Sequence, residues 1–286
     1  MALARRGSGL RADAAVLASQ VHPVFMLPPV AAAGFGGLLS ARYAVWPAAL
    51  HAGAVVVGLY TAHVKDGYVD FHVRDEDEDH PMTARGCRAV LAASTLAFWA
   101  LVAALWVAVS PGAAALAAPG WLLGYFHAPQ LDTGPLGATL GYPLGVALAL
   151  LGGFYAQAGR LDPAVVAFAA VLLVVVAGIK VVDDAQDYDY DRSVDKRTVA
   201  VVLGVPGARR VANALLASGV LAVAGLAAVG VFPRASALAG VAFGAVALLA
   251  RPAAPRRATM LLVRGAYLFL AVLLATTWPW VRAGGP

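Results

Sequence analysis

Charge is scarce in this chain. Its 286 residues carry 21 Lys and Arg and 16 Asp and Glu, 13% of the whole, about half the roughly 25% typical of soluble domains. Against this stand 61% hydrophobic residues and a mean hydropathy of +0.76. No soluble fold of this length covers so much apolar surface, so a water-soluble globular enzyme is excluded. Cysteine is almost missing too. The single Cys87 rules out a disulfide framework and any multi-cysteine zinc or iron–sulfur site. P-loops, Gly-rich dinucleotide fingerprints and Ser/His/Asp triads are likewise absent in any convincing context.

Long apolar stretches are what the chain has in abundance. A membrane-crossing helix needs about 20 mostly apolar residues. Such stretches fall near 23–40, 43–62, 88–109, 112–126, 136–156, 163–182, 209–230, 234–250 and 260–281. The fourth is short and interrupted by Pro119-Gly120. The pattern predicts an all-α, polytopic membrane helix bundle with about nine transmembrane helices, in two four-helix halves plus a ninth helix. Residues 1–20 read as a cytoplasmic tail or surface helix, because their basic residues precede no separate apolar core with a cleavage site. Residues 21–286 form the transmembrane domain.

The scarce charges are unevenly placed. With the N-terminus inside and nine spans threaded, 17 of the 21 basic residues fall on the inner side; only Arg42, Arg160, Arg234 and Arg282 fall outside. Such a bias orients a membrane protein. It accounts for the pI near 9.6 without nucleic acid, which is discarded as a partner. An integral, plasma-membrane location follows, with the acidic segments on the cytoplasmic face.

Thirteen of the 16 acids lie in two windows, Asp66 to Asp79 and Asp183 to Asp195, at the inner ends of the second and sixth spans. In the second window Asp183, Asp187, Asp191 and Asp195 recur every four residues, which predicts one stripe along a helix. Such a ladder repels itself unless cations sit against it, and hard divalent ions such as Mg2+ suit carboxylate oxygens. Lys196 and Arg197 follow immediately and suit diphosphate oxygens. The alternative is a solvated acidic helix end. In the first window Asp66 and Asp70 are one helical turn apart, with His63 on roughly the same face, an interfacial hydrogen-bonding residue before a metal ligand. The run from Asp75 to Asp79 reads first as a solvated loop, with Asp75 or Asp77 the alternative third metal ligand. Arg74 either pairs with these acids or reaches a phosphate.

Two acidic helix ends in a nine-span protein resemble the UbiA superfamily of intramembrane prenyltransferases. Asp66-Gly67-Tyr68-Val69-Asp70-Phe71 is similar to that family's N-D-Y-x-D-F string, with Asp66 for Asn. Asp187, Asp191 and Asp195 match its D-x-x-x-D-x-x-x-D motif. The third acid of the first motif is out of step, since Arg74 stands eight residues after Asp66. The run from Asp195 to Gly204 resembles the G-K-R-T-L-A-V-x-L-G of the menaquinone-type branch, which prenylates 1,4-dihydroxy-2-naphthoate. The segment from Leu136-Gly137 to Gly159 and the Tyr125/Pro129 turn resemble that branch too. His22-Pro23 stands where many relatives have Arg-Pro.

The resemblance implies Mg2+-dependent transfer of a polyprenyl group from an allylic diphosphate to a lipophilic, aromatic acceptor inside the bilayer. It implies metal binding by Asp66, Asp70, Asp183, Asp187, Asp191 and Asp195, with Asp66, Asp70, Asp187 and Asp191 central to catalysis. Lys196, Arg197, Arg74 and Lys180 would bind diphosphate, and Tyr68, Tyr125 and Tyr155 would flank the allylic cation or acceptor, unless they are interfacial aromatics. Other acceptors remain open: a glycerol-lipid phosphate, a carotenoid, haem or a chlorin. From another class comes a cation-binding transporter, disfavoured because transporters place ionisable groups near the midplane. A member that binds prenyl diphosphates without turnover is the third reading.

Overall fold

Proline marks where the helices begin. Pro23, Pro111, Pro119, Pro135, Pro163 and Pro255 each occupy the first helical position of a helix, where the missing N–H is no loss and the fixed φ suits the helix. Side-chain caps start others. Thr83 accepts from the Gly86 N–H and Thr198 from the Val201 N–H, while Ser110 and Asp162 cap helices that also open on proline.

The computed structural model describes residues 3–194 and 196–285. These form α1 (Leu10–Ser19), α2 (Pro23–Leu38), α3 (Val45–His72), α4 (Ala84–Ala108), α5 (Pro111–Ala117) and α6 (Pro119–Tyr125). A π-helical turn at His127–Leu131 leads to α7 (Pro135–Ala158), α8 (Pro163–Asp184), α9 (Tyr188–Ser193), α10 (Val199–Ala228), α11 (Ala237–Ala250) and α12 (Pro255–Arg282). Among the described residues there is no strand, only an isolated bridge between Ala4 and Met82. The all-α expectation is met.

Among the described residues six helices are long and apolar enough to cross a membrane: α3, α4, α7, α8, α10 and α12; a seventh is reached if α1 and α2, bent by 66°, count as one. That is fewer than nine, for visible reasons. The stretches at α2 and α11 form helices of only 16 and 14 residues, and the fourth breaks into α5 and α6 at Pro119. In α10 the first turn is separated from the rest at Gly204, whose φ of +71° suits glycine alone.

The largest apolar core joins α2, α7, α8, α10, α11 and α12. A second joins α3, α4 and α5, and a third sets the N-terminal segment and α1 against α3 and α4. Thus α2, first in the expected N-terminal half, packs with helices of the C-terminal half. Glycines allow this approach: a Cβ on Gly36 would stand 2.0 Å from the Leu150 carbonyl oxygen, and one on Gly153 2.1 Å from that of Ala33. The two backbones touch there without side chains between them.

Candidate functional site

Helix α3 carries Asp66 and Asp70 to its end, one turn apart on a continuous helix. The chain then turns sharply. Asp75 has a φ of +58°, a conformation aspartate tolerates better than most residues. The turn lets the Glu76 N–H donate to the Asp70 carbonyl at 2.7 Å and swings the Glu76 side chain inward, leaving it 3% exposed.

The second window departs from the expected continuous ladder. Helix α8 ends at Asp184, and Asp187 is the cap of the short α9 that holds Asp191. A break at Ala185-Gln186 separates Asp183 from Asp187, so these carboxylates do not stack along one stripe. The fourth rung, Asp195, lies outside the described residues. The break has an electrostatic logic. It spares Asp183, Asp187 and Asp191 a common stripe and places Asp189 and Asp191 in the first turn of a helix, where the backbone dipole favours them.

Basic side chains lie among these acids. Lys180 pairs with buried Asp184 and lies 3.8 Å from Asp183, which also accepts from Gln186 at 2.8 Å. Lys196 Nζ is 3.2 Å from Glu76, which accepts from the Tyr190 hydroxyl at 3.2 Å. Burial works against the charge on Lys196, but Asp70 and Glu76 together more than offset it and raise its pKa. Burial, reinforced by Asp184, pushes the Asp191 carboxyl up to about 6 and raises Asp187 as well. Lys196 acts on acids from both windows, which places it between them. Arg197 is exposed.

Arg74 makes a forked pair with Asp132, at 2.6 and 3.0 Å, and lies 3.5 Å from Glu76 and 3.7 Å from Asp70. It ties the end of α3 to the segment leading into α7. Both side chains are largely buried, 17% and 12% exposed, so removing one partner strands the other's charge. Arg74→Ala should therefore destabilise the protein by about 3 kcal/mol, seen as a lower unfolding midpoint in detergent, while Asp132→Asn should do less because the amide oxygen still accepts. An unchanged midpoint for Arg74→Ala would refute this role.

Behind the acids lies a cavity of about 310 Å³. Asp66, Asp183 and Lys180 line its polar end, with His63 and His127; mostly apolar residues of α2 to α8 and α12 line the rest, together with His51 and Tyr142. The Tyr142 hydroxyl donates to the Phe25 carbonyl at 2.9 Å. None of the three expected tyrosines is on this wall. Tyr68 packs against the N-terminal core, Tyr125 stacks on Trp121 with Lys65 4.9 Å above its ring, and Tyr155 lies at the opposite end of α7 against Gly112.

An apolar cavity thus meets two sets of acids at one end. No protein-family model matches the chain, and no curated protein matches it. Solved structures do. A UbiA homolog from Aeropyrum pernix K1, in its apo form, matches with a TM-score of 0.68 at 22% identity over 89% of this chain and 97% of that one. A UbiA homolog from Archaeoglobus fulgidus bound to GPP and Mg2+ gives 0.71 at 14% identity over 95% and 99%. A digeranylgeranylglyceryl phosphate synthase gives 0.71 at 13% over 94% and 99%. The fold is that of the UbiA homologs. Within the UbiA fold of this chain, the residues brought together are Asp66, Asp70, Asp183, Asp187, Asp191, Lys180, Lys196 and Arg74. The sequence reading missed Glu76, Asp132, Tyr142 and Tyr190.

Proposed function

We propose that the chain is a Mg2+-dependent intramembrane prenyltransferase. It moves a polyprenyl group from an allylic diphosphate to a lipophilic, aromatic acceptor, in menaquinone-type quinone synthesis. One observation carries this: a cavity apolar along most of its length opens at one end onto acids from two separate segments, interleaved with Lys180 and Lys196. The UbiA fold supports it, as does the binding of GPP and Mg2+ by a structural neighbour. In this reading nine segments cross the bilayer and the acids face the cytoplasm, the side where basic residues concentrate.

The residues fit the metal. Asp70 Oδ1 and Asp184 Oδ2 are buried without a hydrogen-bond partner, and burying such atoms unmatched is unfavourable. Asp66, Asp70, Asp187 and Asp191 would hold Mg2+, with Asp183 at the cavity rim. When bound, Mg2+ withdraws charge from the diphosphate and makes it a better leaving group. Lys196 and Lys180 then add charge-assisted hydrogen bonds as the allylic C–O bond breaks and negative charge gathers on the diphosphate. The apolar walls hold the prenyl chain and exclude water from the allylic cation. The acceptor carbon supplies the electron pair for the new bond and gives up a proton, or CO2 from a naphthoate carboxylate.

The digeranylgeranylglyceryl phosphate synthase neighbour, which covers nearly the whole chain, supports a second reading in which a glycerol-lipid phosphate is the acceptor. Membranes containing the protein, supplied with radiolabelled geranylgeranyl diphosphate, Mg2+ and either dihydroxynaphthoate or geranylgeranylglyceryl phosphate, decide between them. Mg2+-dependent product with the naphthoate alone supports the first. Product with the glycerol phosphate alone replaces it with the second. No product with any acceptor, alongside cation flux in proteoliposomes, overturns both.

A further inference from the structure

Away from the acidic mouth, the α3–α4 hairpin gathers a different set of ligands. His72 is the last residue of α3, His80 sits in the connecting loop, and Cys87 lies in the first turn of α4. One ligand atom from each lies within 4.8 Å of the others. Cys87 is fully buried and His80 is 5% exposed. We propose that His72, His80 and Cys87 form a transition-metal site, suited to Zn2+, that staples this hairpin independently of the prenyl-transfer reading.

The geometry is close to what zinc needs. The His80 Nδ1 to Cys87 Sγ separation is 4.0 Å, and zinc bonds of 2.3 Å to sulfur and about 2.0 Å to nitrogen put these atoms about 3.6 Å apart in a tetrahedron. The Met82 carbonyl oxygen lies 3.0 Å from His72 Nε2 and 3.3 Å from His80 Nδ1. These contacts, hydrogen bonds in the metal-free state, are close to the edge of the same tetrahedron, about 3.3 Å, and Met82 or a water would supply the fourth position. The residual gap is within reach of side-chain rotation.

His80 Nδ1 also accepts the Met82 N–H at 3.2 Å, while Nε2 is buried with no partner. To ligate a metal, Nδ1 exchanges the Met82 N–H for the ion. The loop is already braced from outside: Ala4 bridges Met82, and Arg5 bonds Asp79 at 2.9 Å and the His80 carbonyl at 3.0 Å. One thiolate and two imidazoles select a borderline-soft ion, whereas Mg2+ prefers the carboxylates of the mouth. On binding, the Cys87 thiol gives its proton to solvent. The staple would fix the loop from Val73 to Thr83, which carries Arg74 and Glu76 to the mouth. It is a positioning site.

Full-length protein purified in detergent and stripped of metal would be titrated with Co2+ alone. The expected result is a tetrahedral cobalt spectrum with a thiolate-to-cobalt charge-transfer band, saturating at about one equivalent and displaced by Zn2+. Cys87→Ser should abolish that band and weaken Co2+ binding at least tenfold, and Asp187→Asn should leave both intact. Should Cys87→Ser fail to fold, His72→Gln is expected to give the same weakening. Absence of the band in folded wild-type protein overturns the proposal. So does a Co2+ titration left unchanged by Cys87→Ser, which would assign all of the bound ion to the acidic mouth.

Discussion

Asp70→Asn and Asp187→Asn should each slow prenyl transfer about a hundredfold or more, the range seen when one preorganised electrostatic partner is removed from a transition state. Both substitutions keep the side chain's shape and remove its charge. Asp70 Oδ1 has no hydrogen bond to lose; burial and the like charges of Asp66, Glu76 and Asp77 act against its charge and outweigh the attraction of Lys196 and of Arg74 at 3.7 Å. Asp187 stands at the α9 cap beside Asp184, in surroundings that already raise its pKa. Neutralising either group relieves repulsion, so the unfolding midpoint in detergent should hold or rise while activity falls. This opposition separates a ligand of the reacting complex from a structural acid. The Mg2+ concentration for half-maximal rate should also increase. Activity within threefold of wild type in both variants would remove the acids from the mechanism.

The largest expected effect on folding comes from adding one carbon at the α2–α7 contact. Gly36→Ala and Gly153→Ala would each place a methyl about 2 Å from a backbone carbonyl oxygen of the facing helix. Neither neighbour is a flexible side-chain tip, so the helices must separate. Alanine gains about 1 kcal/mol of helix propensity over glycine, but overpacking a filled contact costs about 3 kcal/mol here, the upper part of its usual range. The net is destabilising, and the double variant should yield little folded protein by size-exclusion chromatography in detergent. Gly225→Ala is the control, because nothing lies within 4 Å of its added Cβ; it should express normally. Normal yield from the double variant would show that the two helices do not meet through these glycines.

Much of the architecture was legible because hydropathy and proline are local signals. Apolar runs located the helices, and six prolines mark where helices start. The acids at the ends of α3 and α8 stood out because charge is rare elsewhere. The misses have different causes. Glu76 was hidden in an acidic run that reads as solvated, since what buries it is the backbone turn at Asp75. Asp132 lies 58 residues from its partner Arg74, a pairing no local pattern reveals. Tyr142 sits in an apolar stretch, where its hydroxyl gave no cue. A four-residue spacing suggested one continuous helix through Asp191, and the break after Asp184 defeated it.

The glycine contact between α2 and α7 has a consequence for permeation. A carrier that alternates access needs one group of helices to rock against the other about a fixed site. Here α2 is held by backbone-to-backbone contact against α7 in the core of the C-terminal helices, and both helices line the cavity. No sliding plane runs between α2 and α7. Rocking α2 against α7 would break that contact, so in the prenyltransferase reading proposed above the chamber holds a substrate changed in place and not cargo delivered to the other side.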